Sequence, residues 1–294
     1  MAERSFVALP QRALLAVSGA DRRAFLQGLV SNDVEKVSPS RTVHAALLTA
    51  QGKYLHDFFI IERGDAFLLE AEAARLADLQ RRLSIYRLRA KVAIAPAEAG
   101  LAVAAAFGEG ALAALGLREE AGAAAPFAGG LAYVDPRLAA LGARLIVPPE
   151  SGFAGLRAAG FAEAGAAAYD RMRIGLGVPD GSRDLAVEKA ILLEAGFDEL
   201  NGVDWQKGCY VGQELTARTK YRGLIKKRLM PVRVEGPLPE PGTPVRRGGE
   251  EVGEIRSGAG DTALALLRLE AIAEPGLEAG GARVTPQMPG WARF

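Results

Sequence analysis

Lys207-Gly208-Cys209-Tyr210-Val211-Gly212-Gln213-Glu214 is the stretch on which the reading of this 294-residue chain turns. It holds the only cysteine, set among glycines and two residues after a lysine. Glycine lets a backbone come close to a ligand and adopt positive φ. A nearby ammonium favours thiolate over thiol, so Lys207 is expected to tune Cys209. The spacing suits a reactive or metal-binding thiolate in an accessible loop. The alternative for a lone cysteine is an inert, buried, small hydrophobe. One cysteine builds no disulfide framework and no Cys-rich zinc site. An iron–sulfur cluster takes about four thiolates, so one chain cannot own one. His44 and His56 are the only imidazoles, too few for a His-rich metal site. No permanently bound metal is expected.

Downstream the chain turns basic, with Arg218, Lys220, Arg222, Lys226, Lys227, Arg228 and Arg233 and no acid between Glu214 and Glu235. Such a run is either a solvated surface or a patch that receives carboxylates, phosphates or an acidic partner. Its single aromatic, Tyr221, is poor provision for base stacking, so no strong nucleic-acid binding is expected. Lys plus Arg number 36 and Asp plus Glu 35, which excludes a general polyanion binder. Beyond Leu229 prolines and glycines become frequent and alternating β-type stretches appear at 232–235, 252–257 and 263–269. Residues 229–294 are therefore expected to form a small β-barrel-like domain.

Upstream, Leu14–Val17 reads as a strand, and a helix carrying Phe25, Leu26, Leu29 and Val30 ends near Ser31-Asn32-Asp33. Thr42–Thr49 and Tyr54–Ile61 read as a hairpin joined across Gly52. Ala66–Leu69 reads as a third strand and Ala73–Leu83 as a helix. Tyr86–Ile94 alternates, so a strand is expected with Arg87, Arg89 and Lys91 on one face. That face is either solvated or meets an anionic ligand. Residues 95–130 are Ala/Gly-rich and carry little signal. Strands are expected at 131–134 and 144–147, helices at 167–174 and 187–195, and a loop at 175–186.

An apolar content of 49% and charged content of 24% are those of a globular protein with a sizeable core. Pro10, Gln11 and Arg12 interrupt any apolar leader, and Leu101–Leu117 is too short to span a bilayer. A cytoplasmic location and no membrane partner are the resulting expectations.

The octapeptide from Lys207 to Glu214 resembles the signature of YgfZ-type folate-binding proteins, a branch of the superfamily of the glycine-cleavage T-protein, an aminomethyltransferase. The likeness extends to Phe25–Asp33 (FLQGLVSND), Tyr86–Val92 (YRLRAKV), Arg173–Pro179 (RIGLGVP) and Lys227-Arg228-Leu229. It implies an α+β, T-protein-like fold, in which two intertwined N-terminal α+β domains, here within 1–228, and a C-terminal β-barrel, here 229–294, surround a central channel for tetrahydrofolate. It implies a folate-binding accessory factor for maturation or repair of iron–sulfur proteins, including tRNA-modifying [4Fe–4S] enzymes. Iron–sulfur carrier or client proteins would be its partners and Cys209 the residue it depends on, a transient cluster ligand at most. Asp57 stands where T-proteins keep a carboxylate at the folate. The pterin-reading G-E-x-G-[FY]-E stretch of T-proteins has no equivalent, which favours the accessory factor over a tetrahydrofolate-dependent aminomethyl or one-carbon transferase using Asp57. Under this resemblance Cys209 and Lys207 form the reactive pair and Tyr210 lines the folate site. Gln213 and Glu214 are ligand hydrogen-bonders or loop anchors, and Arg89 and Arg218 are candidate binders of the folate carboxylates.

Overall fold

The computed structural model describes residues 4–273 and 275–293. Met1–Glu3 of the N-terminal stretch, and Glu274 and Phe294 of the expected barrel region, lie outside the described residues. In chain order the first elements are β1 (Ser5–Ala8), β2 (Arg12–Ser18), α1 (Arg22–Gln27), β3 (Val43–Leu48), β4 (Tyr54–Arg63) and β5 (Ala66–Glu72). Next come α2 (Leu76–Tyr86), β6 (Ala93–Pro96), β7 (Ala102–Phe107), α3 (Ala111–Ala114), β8 (Ala124–Phe127), β9 (Gly130–Val134) and β10 (Ala143–Val147). Then α4 (Pro149–Ala158), β11 (Ala162–Glu163), α5 (Ala166–Gly175) and α6 (Gln213–Tyr221) follow. The last are β12 (Lys227–Glu235), β13 (Pro244–Arg247), β14 (Glu250–Ala259), β15 (Thr262–Arg268), α7 (Leu269–Ile272), β16 (Leu277–Ala279) and β17 (Ala282–Pro286). No described helix is long and apolar enough to cross a membrane.

The chain divides into two compact units. The first runs up to Leu48 and adds His56–Ala166 and Asn201–Val211. It holds two mainly antiparallel sheets, ordered β11-β1-β7-β10-β9-β8 and β3-β4-β5-β2-β6. Successive strand residues face opposite ways, and β9 and β10 show what each face buries. Ala132, Val134, Leu145 and Val147 join Leu112, Leu115, Leu156 and Phe161 in an apolar core. Tyr133 and Arg144 point the other way, toward Glu70 of β5, which is fully buried. Glu70 accepts hydrogen bonds from Arg12 Nε (3.0 Å), Arg144 Nη1 (3.0 Å) and the Tyr133 hydroxyl. The guanidiniums of Arg12, Arg137 and Arg144 also lie 5.9, 5.1 and 5.2 Å from the Phe59 ring centre. Asp135 pairs with Arg137 at 2.7 Å. Burial would raise the Asp135 carboxyl, but Arg137 and Arg144 hold it down at about 2.

The segment expected as a strand from Tyr86 to Ile94 is different. α2 continues through Tyr86, residues 87–92 form a turn, and only Ala93–Pro96 pairs with β2. Leu88 sits at φ +43° and is 88% exposed, and of Tyr86, Leu88, Ala90, Val92 and Ile94 only Val92 is buried.

His56, on β4, gives the first unit a pH dependence. Its Nε2 lies 2.9 Å from Asp78 Oδ2, yet burial and the nearby Arg75 push the imidazole down to about 4. The contact is therefore a hydrogen bond from a neutral imidazole to a carboxylate. Burial opposes the charge on Asp78, but Arg82, His56 and Arg81 hold its carboxyl well below the usual range. The unfolded imidazole binds a proton below about 6.5 and the folded one only below about 4, so the unfolded state gains as pH falls through that window. Stability is expected to drop by at most about 3 kcal/mol between those values. Urea midpoints at pH 7, 5.5 and 4.5 read this, and His56→Gln should flatten the slope; an unchanged slope refutes the assignment.

The second unit comprises Thr49–Leu55, Ala167–Leu200 and the chain from Gly212 onward. Its barrel closes in the order β12-β15-β14-β13-β16-β17 around Met230, Val232, Val234, Ile255, Ala265, Leu267 and Val284. The barrel begins at Lys227, two residues before the expected boundary. The RIGLGVP segment is tied to it by one buried cation. Arg173 donates to Asp184 (2.8 Å), Ser257 Oγ (2.9 Å) and the Val178 carbonyl (3.2 Å). The helix expected over 187–195 is reduced to a 3₁₀ turn, Leu192–Ala195. Glu188 takes φ +61° and donates its N–H to the Tyr54 carbonyl, while Tyr54 N–H goes to the Ala190 carbonyl. Pairing with the hairpin segment thus outcompetes helix. Gly52, at φ +81°, also faces Gly212 and Leu215, where a Cβ would sit 2.7 Å from the Gly212 carbonyl oxygen.

Candidate functional site

The thiol loop belongs to the first unit and is fastened to the end of α1. Ser31, wholly buried, donates to the Gly202 carbonyl (2.6 Å) and accepts from Ala46 N–H (2.8 Å). Asn32 Nδ2 donates to the carbonyls of His44 (2.7 Å) and Asn201 (2.8 Å). Gln27 donates to Asp33 and accepts from Val34 N–H. The FLQGLVSND segment is therefore a clamp holding β3 and the loop 201–211 together. On the loop side, Asp204 accepts from the N–H groups of Gln206 (2.7 Å) and Lys207 (3.0 Å) and pairs with Lys36. Burial would raise the Asp204 carboxyl, but Lys36 and those N–H groups keep it below the usual range.

Lys207 does something other than expected. Its ammonium donates to the carbonyls of Gln27 (2.8 Å), Val30 (2.5 Å) and Asn32 (2.9 Å). An ammonium has three N–H bonds, and all three are engaged. It satisfies carbonyls left open where α1 ends and staples the loop there. Its Nζ also lies 5.1 Å from the centre of the Tyr210 ring. Burial pushes the Lys207 ammonium down to about 8, against the pull of Asp33 and Asp204. Cys209, two residues on, is exposed.

The remaining expected residues are scattered. Asp57 is buried on β4, its Oδ2 3.2 Å from His44 Nε2. Arg89 is exposed on the turn after α2. Gln213 opens α6, and Glu214 pairs with Arg218 one turn later on its exposed side. That pair is an ordinary i,i+4 helix contact.

Two cavities matter. The first, about 270 Å³ in the first unit, is lined by Asn32, Lys36, Arg41, His44, Asn201 and Asp204 among others. Its charges are matched from within: Lys36 pairs with Asp204, and Arg41 with Glu120 at 3.0 Å. The second, about 500 Å³ in the second unit, is lined by Lys53, Lys189, Glu194, Lys227, Glu254 and Arg256 with Leu185, Ile191, Leu229 and Leu266. Arg256 pairs with Glu254 at 2.8 Å. Burial pushes the half-buried Glu194 carboxyl up, against the pull of Lys227, Lys53 and Arg228. Asp57 lines neither cavity. Sequence reading missed Glu194, Lys53 and Lys189, and named Lys227 only as part of the basic run. The one available signal was a carboxylate inside the apolar run 190–195.

A family model of the CAF17 C-terminal β-barrel domain matches residues 226–294. The human mitochondrial iron–sulfur cluster assembly factor IBA57 is 37% identical over 288 residues, covering 91% of this chain and 78% of that protein. The chain belongs to the IBA57 family. The mouse IBA57 is 34% identical, again over 91% of this chain and 78% of its own. The Neosartorya fischeri IBA57 homologue is 30% identical over 96% of this chain and 74% of its own. The crystal structure of the glycine cleavage system aminomethyltransferase T from Bartonella henselae superposes with a TM-score of 0.79 at 16% identity, over 98% of this chain and 86% of that one. The α+β, T-protein-like fold with its closed six-stranded barrel is thereby established. The cytoplasmic expectation is corrected: the IBA57 relatives are mitochondrial proteins. A single free thiol suits any reducing compartment and so does not choose between them.

Proposed function

We propose that this protein is a folate-binding factor in the maturation or repair of iron–sulfur proteins. The observation that carries the reading is the exposed Cys209 on a loop pinned at Ser31, Asn32 and Lys207, in a chain 37% identical to an iron–sulfur cluster assembly factor. A lone thiolate completes no cluster by itself, so Cys209 acts as a ligand shared with a carrier or client protein. The KGCYVGQE loop aligns the chain with YgfZ-type proteins, with [4Fe–4S] tRNA-modifying enzymes among the clients.

The residues of the 500 Å³ cavity fit a folate. A carboxyl such as Glu194 matches the N–H donors on the edge of a pterin, apolar Leu185, Ile191 and Leu266 suit its ring faces, and the lysines suit glutamate carboxylates. Folate would supply one-carbon chemistry when bound; the chain's own part is to hold it.

The test is expression of this chain in cells depleted of their own assembly factor. Activity of a [4Fe–4S] enzyme such as aconitase should recover, with a cluster-free dehydrogenase as control. No recovery at normal expression would refute the reading.

A further inference from the structure

The end of α2 and the turn at 87–92 form a basic, apolar surface on the first unit. Ile85, Tyr86 and Leu88 are exposed within four positions, Leu88 most of all. Arg87, Arg89 and Lys91 are exposed beside them and form no ion pair among the described residues. No acid occurs between Asp78 and Glu98. Asp78 pairs with Arg81 and, at 2.8 Å, with Arg82, while Asp21, which touches the turn, accepts the Lys91 N–H at 2.7 Å. The turn is also firmly built. Ala90 donates its N–H to the Arg87 carbonyl (2.8 Å), and the Lys91 carbonyl lies so near Gly19 that a Cβ there would sit 2.2 Å from its oxygen. At φ +43° Leu88 takes a conformation that glycine or asparagine adopts more easily, and its side chain gains no burial in return. Neither the backbone nor the core accounts for a leucine at this point.

We infer that residues 85–91 seat this protein on an anionic membrane surface, with Ile85 and Leu88 entering the acyl boundary while Arg87, Arg89 and Lys91 meet headgroup phosphates. Charge complementarity sets the sign of the lipid, since three cations there are unmatched and the acid in contact with the turn is engaged. The interleaving of charge and apolar surface sets the kind of partner. Leu88 stands between two arginines, so a protein pocket that buried the leucine would also have to desolvate both guanidiniums. At a bilayer, long basic side chains keep their heads at phosphate level while their stems and the leucine go deeper. The Tyr86 ring, apolar in body with a polar tip, suits the same boundary. Adsorption of this kind needs no spanning helix, so the lack of one among the described residues does not bear on it. A few inserted side chains hold weakly, which makes the contact reversible and dependent on salt.

Co-sedimentation of the full chain with vesicles tests this, using phosphatidylcholine alone and phosphatidylcholine mixed with phosphatidylglycerol roughly two to one. Binding to the mixed vesicles is expected to be at least about tenfold tighter at low salt, from cations each worth about fivefold near an anionic surface. The gap should close as salt rises to about 0.5 M, where the screening length falls well below 10 Å. Leu88→Asn should weaken binding to the mixed vesicles at least about fivefold, through lost transfer of the apolar side chain. Its melting temperature should hold or rise, since asparagine suits positive φ, so lost binding cannot be laid to unfolding. Arg87→Gln combined with Lys91→Gln should remove most of the preference for anionic lipid. No binding to the mixed vesicles overturns the inference. Binding that Leu88→Asn leaves unchanged also overturns it, being adsorption by charge without insertion. Binding of poly-L-glutamate in place of vesicles overturns it as well and marks the turn as a seat for an acidic protein.

Discussion

Cys209→Ser is expected to abolish the recovery of [4Fe–4S] enzyme activity, lowering it at least about tenfold, to the level of cells without the factor. A hydroxyl does not ionise in the range where a thiol does, so the oxygen supplies neither a soft metal ligand nor a nucleophile. The substitution is close to isosteric and the side chain is exposed, so stability should move by no more than about 0.5 kcal/mol. Loss of activity with an unchanged melting curve is therefore the diagnostic pair. Full recovery by the serine variant rules out any role for the thiol. Lys207→Met, by contrast, leaves three carbonyls without their donor. It should speed proteolysis within the loop while Cys209 remains open to alkylation.

Glu70→Gln should produce the largest loss of stability in the chain, about 3–5 kcal/mol. Three buried arginines meet two buried carboxylates here: Arg12 and Arg144 pair with Glu70, and Arg137 and Arg144 with Asp135. Neutralising Glu70 takes a buried carboxylate from both Arg12 and Arg144. The Tyr133 hydroxyl, pushed up by burial and by Glu70, also loses a charged acceptor. A domain is typically stable by about 5–15 kcal/mol, so the first unit should unfold at much lower urea. Intrinsic fluorescence does not separate the units cleanly; hydrogen exchange does, and protection should fall in β5, β9 and β10 while the barrel strands keep theirs. A loss below about 1 kcal/mol would show that water or a rearranged side chain compensates for the missing charge.

Those buried charges also show why the sequence is legible in places and mute elsewhere. The hairpin of β3 and β4 could be read because apolar runs flank a turn glycine, and the barrel because its strands alternate. β7 could not. Its sequence, Ala-Val-Ala-Ala-Ala-Phe, has weak β preference, and it becomes a central strand only because β1 and β10 pair with it on both sides. At Tyr86–Ile94 the opposite happened: period-2 spacing arose by chance in a helix end and a turn. For the site, Cys209 was conspicuous as the sole thiol. Lys207 was noticed for the wrong reason, since adjacency in sequence suggested partnership with the thiol and the fold sends the ammonium to the end of α1. The second unit's cavity was invisible because Lys53, Lys189, Glu194 and Lys227 come from separate stretches of chain that only tertiary structure assembles.

The carbonyls that receive Lys207 lie 175–180 positions earlier in the chain. Ribosomes deliver chain at about 5–20 residues per second. The end of α1 thus waits many seconds for its ammonium, and the first unit closes only after both of its sheets and α5 have left the tunnel. The thiol is born into a loop that has nowhere to dock until that moment, and docking completes a unit whose other parts were made long before. Placing the exposed thiol on the last piece of the first unit to arrive means that its presentation reports on the folding of that unit.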